Sequence, residues 1–123
     1  VLHFGNIPII KLTIEIEYAG GFLPLSFVFD TGAEVTSLPI STAEKLGIDL
    51  KLCPQVTLKG YEGKRVKAYL SGIRIKIAKR IIAIPCVFHP NPNVPMLLGR
   101  AGILTRFNIL LNGKNKQATF EEI

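Results

Sequence analysis

The sequence predicts an all-β domain with one or two short helices, on three observations. Apolar residues recur with period two along most of the chain. Breaks rich in glycine, asparagine and proline separate those runs at short intervals. Only one stretch carries both the start and the stop signals of a helix. The chain has 123 residues, which suits a single domain spanning 1–123. Its 48% hydrophobic and 20% charged residues are the composition of a folded domain, not a disordered one.

The elements follow in order. Ile10 to Tyr18 alternates apolar and polar residues, Ala19-Gly20-Gly21 turns the chain, and Phe22–Phe29 returns. Pro24 lacks an N–H and places that second strand near an edge. Ser41-Thr42-Ala43-Glu44 reads as a capping box with Ser41 as N-cap, and Gly47 marks the helix end. Val56–Leu58 and Val66–Leu70 flank a glycine-containing tip, so they form a hairpin. Ile73–Ile77 alternates cleanly, with Arg74 and Lys76 outward. Ile81–Phe88 is more continuously apolar and is expected to be buried on both faces. Three prolines make His89–Pro95 an irregular loop. Met96–Leu98 is a short buried strand, and Arg100–Thr105 a helical turn. Phe107–Leu111 and Gln117–Phe120 form a last hairpin around Asn112-Gly113, a tight-turn dipeptide.

Composition excludes several functions. No apolar run reaches the ~18–20 residues of a membrane helix, and no basic start leads into a signal-peptide core. A cytoplasmic location with no membrane partner is therefore expected. Two cysteines, Cys53 and Cys86, are too few for a disulfide scaffold; they read as free thiols, with a single bridge between them the open alternative. Net charge is +6, and the excess is local: residues 59–80 hold eight basic residues against one acid, Glu62. Such a stripe can attract an anionic partner. A nucleic-acid surface would interleave aromatics for stacking, and only Tyr61 and Tyr69 lie there, so nucleic acid is not the expected ligand. Gly60–Arg65 is too short for a P-loop and has no Ser or Thr after its lysine. Cys86 and His89 make only half a zinc ligand set. No metal and no cofactor is called for.

Chemistry concentrates in Phe27-Val28-Phe29-Asp30-Thr31-Gly32-Ala33. Three large apolar residues deliver a carboxylate from a strand end into a turn. Gly32 admits close approach of another backbone. Taken alone, Asp-Thr-Gly is an ordinary turn.

It does not stand alone. Val28-Phe29-Asp30-Thr31-Gly32-Ala33, the tip Gly60-Tyr61-Glu62-Gly63 and the late Leu97-Leu98-Gly99-Arg100 together resemble the retropepsins, the retroviral-type single-domain aspartic proteases. The likeness covers about residues 9–111, with 112–123 an extra C-terminal hairpin. It implies a closed β-barrel of the acid-protease half fold. It also implies an aspartic endopeptidase acting as a homodimer on an extended peptide, each subunit giving one aspartate. The sequence agrees, since it holds one Asp-Thr-Gly and its only other aspartate is Asp49.

Further roles come from the same resemblance. Asp30 is catalytic, with Thr31, Gly32 and Ala33 supporting its loop. Gly60, Tyr61, Glu62 and Gly63 form a flap that closes over substrate. Val35, Leu38, Pro95 and Leu97 are pocket walls. Glu34, where the family usually has Asp, pairs with Arg100. Ala33 replaces a hydroxyl common in two-domain relatives, which predicts a weakly acidic to near-neutral pH optimum. The alternative is a catalytically silent retropepsin-like module that binds or assembles through its basic face.

Overall fold

A computed structural model describes residues 10–30, 32–59 and 64–123. β1 (Lys11–Tyr18) and β2 (Gly21–Phe29) are the antiparallel hairpin expected from the alternation. Ala19 and Gly20 turn it at φ 34° and 83°, and the twist of such a two-residue turn matches its strands. There follow β3 (Thr36–Pro39), α1 (Ile40–Lys45), a 3-10 turn at Leu50–Leu52, β4 (Gln55–Lys59), β5 (Arg65–Ile77) and β6 (Arg80–His89). β7 (Leu97–Leu98), β8 (Phe107–Asn112) and β9 (Gln117–Glu122) complete the described chain.

Seven strands form one sheet in the order β1-β2-β7-β3-β6-β5-β4. β1 also pairs with β5, Ile16 opposite Ile75, so six strands close into a barrel and β4 is the edge strand among the described residues. The inward parity of each strand fills the barrel. Ile16, Leu38, Ile75, Phe88 and Leu98 are wholly buried. Each such side chain stabilises the fold by roughly 1.5–3 kcal/mol, an upper figure because unfolded chains are not fully extended.

Four local expectations are corrected. The strands expected at Val66–Leu70 and Ile73–Ile77 are one strand of 13 residues. Its buried parity shifts around Ser71-Gly72, from Ala68 to Ile73, Ile75 and Ile77. One half of β5 can thus pair with β4 while the other closes the barrel on β1. β6 is buried on both faces only at Cys86–Phe88; Ile81, Ala83 and Pro85 face solvent. Ser41 does not cap α1: Pro39 holds the N-cap position, without a side-chain bond. The C-terminal signal is correct. Gly47 has φ 72°, its N–H donates to Glu44 O, and that of Ile48 donates to Ala43 O, a Schellman ending.

The β8–β9 connection is also longer than a tight turn. Asn112 Oδ1 accepts the N–H of Asn115, and the positive φ falls on Lys116 rather than Gly113. This hairpin forms its own two-stranded sheet. It lies on the barrel through Phe120, whose ring stands edge-on to both Phe29 and Phe107.

Candidate active site

The aspartate is presented by a strand that is held until its last residue. Val28 N–H donates to Met96 O (2.9 Å), Phe29 N–H to Ile10 O (3.0 Å) and Asp30 N–H to Leu98 O (3.2 Å). Parallel pairing with β7 therefore continues into the half-buried Asp30. The chain then folds back on it. Gly32 N–H donates to Asp30 Oδ1 (2.9 Å), and Ala33 N–H to Asp30 O (3.1 Å). A Cβ on residue 32 would stand 3.3 Å from that carboxylate oxygen, so glycine keeps the contact unstrained.

A second segment locks the loop from behind. Arg100 N–H donates to Ala33 O (3.0 Å) and Ala101 N–H to Glu34 O (2.8 Å). Gly99 N–H donates to Oγ1 of the buried Thr36 (3.0 Å). This satisfies a hydroxyl that would otherwise be costly to bury. Gly99 has no room for a side chain: a Cβ would lie 2.5 Å from the Val35 carbonyl carbon. The late Leu-Leu-Gly-Arg is thus the backbone support of the Asp30 loop.

A groove of about 1040 Å³ begins at Ala33 and Glu34. Val35, Pro95 and Leu97 line it, together with Val66 and Val87. Leu38 does not: it is wholly buried in the barrel core. Strand parity explains the correction, since Thr36 and Leu38 face inward and Val35 and Ser37 face the groove. Ser37, Lys64, His89 and Asn91 also line the groove and were not anticipated. Ser37 lies on β3, a four-residue strand too short to show a period in the sequence; the other three lie in irregular segments or at their borders, where periodicity is silent.

The expected Glu34–Arg100 ion pair is not formed. The ion pairs among the described residues are Arg74–Glu17 (3.3 Å) and Arg80–Glu122 (3.2 Å). Glu34 and Arg100 are both exposed, and their segments are joined through the backbone instead. Thr31 and the flap residues Gly60, Tyr61, Glu62 and Gly63 lie outside the described residues.

The basic stripe is partly neutralised within the chain. Arg74 and Arg80 have acidic partners, and Lys76 Nζ stands 5.3 Å from the centroid of the Phe22 ring. Cys53 and Cys86 are free thiols. Burial, with Cys53 nearby, pushes the Cys86 thiol up to about 12. Among the described residues no three His, Cys, Asp or Glu side chains converge on a metal-sized site, and no helix is long and apolar enough to cross a membrane.

Residues 13–101 match the family model described as aspartyl protease. A retropepsin-like aspartic protease from Rickettsia conorii is similar in structure, with TM-score 0.65 and 20% identity over 86% of this chain and 82% of that one. The EIAV protease, solved in complex with the inhibitor HBY-793, is similar with TM-score 0.56 and 19% identity over 81% of this chain and 88% of that one. No curated protein sequence matches significantly. The barrel is thus a retropepsin-like fold.

Proposed function

This chain belongs to the aspartyl protease family, and from that premise we propose that it is an endopeptidase working as a homodimer. Each subunit gives one Asp30 to a shared site, and the segment around Gly60–Gly63 acts as the flap. The observation that carries the reading is the Asp30 loop itself. A strand-end carboxylate is held by Gly32 N–H and backed by Leu98 and Arg100, where a groove opens. The chain has a single Asp-Thr-Gly, and one carboxylate cannot act as base and acid in the same step.

Two carboxylates brought to about 3 Å cannot both ionise, so the pair holds one proton between them. The ionised Asp30 takes a proton from a water, which attacks the scissile carbonyl carbon. The protonated Asp30 of the partner donates to the carbonyl oxygen, giving a tetrahedral diol. Transfer of a proton to the leaving nitrogen breaks the C–N bond, releases a carboxylic acid and an amine, and restores the shared proton. No covalent enzyme intermediate forms. The dyad titrates as a unit.

The test is cleavage of a denatured protein mixture across pH 3–7.5 by wild type and Asp30→Asn, with a pepstatin-type inhibitor and a sizing column in parallel. Activity confined to the dimer and lost in the variant is the expected result. A well-folded wild-type dimer that cleaves nothing would overturn the catalytic reading and leave the silent binding module.

A further inference from the structure

One wall of the groove is the segment Pro90–Pro95, and its hydrogen bonding is closed on itself. Three of its six residues are prolines without an N–H. The other three N–H groups are used inside the loop. Asn91 N–H donates to His89 Nδ1 (3.0 Å), Asn93 N–H to Asn91 Oδ1 (2.9 Å) and Val94 N–H to Asn91 O (3.4 Å). The wall therefore offers a bound peptide no backbone donor, and any hydrogen bond donated there comes from its side chains.

The same bonds fix what those side chains offer. A neutral imidazole has one acceptor nitrogen and one donor nitrogen. Because His89 Nδ1 accepts, its proton sits on Nε2, and the ring has no acceptor left. Asn91 uses its Oδ1 on the loop, which leaves the Nδ2 hydrogens unused among the described residues. Lys64, also on the groove, adds a cationic donor. Around these donors stand the apolar Val35, Val87, Pro95 and Leu97, with Ser37 and Asn93 as the further uncharged polar side chains of the lining. Glu34 is the one acid of the lining and stands on the Asp30 loop, not on this wall.

Resting on the peptidase reading, we propose that this wall selects a substrate residue whose side chain ends in a hydrogen-bond-accepting oxygen, glutamine or glutamate, set against His89 and Asn91 between apolar neighbours. A lysine in that place would meet donors with a donor. A methionine, similar in shape to glutamine, would leave the donors without a partner.

The test uses octapeptides with a non-cleavable reduced bond at the centre, carrying Gln, Glu, Met or Lys at each position in turn. Their binding to wild type and to Asp30→Asn is measured by calorimetry. At one position Gln and Glu are expected to bind roughly three- to tenfold tighter than Met, the range of a typical net hydrogen bond, and Lys weakest. His89→Asn keeps an acceptor for Asn91 N–H and a donor for the ligand, so it retains the preference. His89→Leu brings Gln and Met to within about twofold, the low end of the same range. Asn91→Asp keeps the bond to Asn93 but replaces the amide donor, and it shifts the preference toward Lys without relying on the folding of His89→Leu.

Equal binding of Gln and Met at every position, a Met preference throughout, or no binding of any peptide overturns the inference. Cleavage is read separately on the corresponding normal peptides. Gln-selective binding without cleavage keeps the inference and overturns the catalytic reading. Cleavage without selectivity does the reverse.

Discussion

The ring of Phe120 stands edge-on to that of Phe29, with centroids 6.4 Å apart and planes at 84°. Phe29 is the residue before Asp30, and Phe120 belongs to a hairpin beyond the 13–101 family match. The C-terminal hairpin thus buttresses the strand that presents the carboxylate. Ion pairing of Arg80 with Glu122 and the bond from Ile123 N–H to Arg106 O hold the same end of the hairpin. Truncating a large packed aromatic costs about 3 kcal/mol. Phe120 is half-buried, so Phe120→Ala is expected to lower stability by no more than that, about 1.5–3 kcal/mol in urea unfolding, whereas Arg80→Ala costs under about 1 kcal/mol because that pair is largely solvated.

Gly99→Ala is expected to be far more damaging than an ordinary glycine substitution. The new methyl meets the Val35 and Thr36 backbone at 2.5–2.8 Å, and backbone cannot swing aside. Thr36→Val removes the acceptor for Gly99 N–H and costs about 1–3 kcal/mol. Thermal unfolding should rank the two, with Gly99→Ala the less stable and frequently insoluble. Equal melting temperatures would refute the packing argument.

Cys86 gives a pH prediction. Its folded value near 12 lies above the ordinary thiol value of 9.0. The folded state therefore prefers the protonated thiol. That stabilisation is complete below pH 9 and is lost as pH rises toward 12. Stability measured between these limits should fall with pH, and less steeply in Cys86→Ala. Alkylation of the native protein at pH 8 should label the half-buried Cys53 and spare Cys86 until the chain is unfolded.

Ala33 places no hydroxyl beside the Asp30 loop to stabilise its anion. The expected pH optimum of cleavage is weakly acidic to near neutral, and Ala33→Ser is expected to move it downward. A wild-type optimum below about pH 3, under the ordinary aspartate range, would contradict this.

Much of this was legible in the sequence because period two and glycine turns are local signals. The first hairpin, Gly47 and the short β7 strand are where the residues put them. Asp30 and Gly99 were legible as motifs, though their hydrogen bonding was not. The errors have physical causes. β5 changes its buried parity at Ser71-Gly72, and a break in alternation looks like a break in the strand. Leu38 matches a groove position of the resemblance, but it shares the inward parity of Thr36, a polar residue whose burial only the fold reveals. The Glu34–Arg100 pair depends on side-chain reach, which spacing along a chain does not encode. His89 and Asn91 escaped notice because a proline-rich loop has no period, and the bonds that organise it run only two residues along the chain.

The insertion of β7 between β2 and β3 sets an order of events during synthesis. The Asp30 loop leans on Leu98 and Arg100, nearly seventy residues downstream along the chain. While the ribosome is still making the middle of the protein, the aspartate has emerged but nothing exists to brace it. In a nascent chain the Asp30 loop thus stays unbraced until Leu98 and Arg100 have been made, and their arrival decides when the loop takes shape.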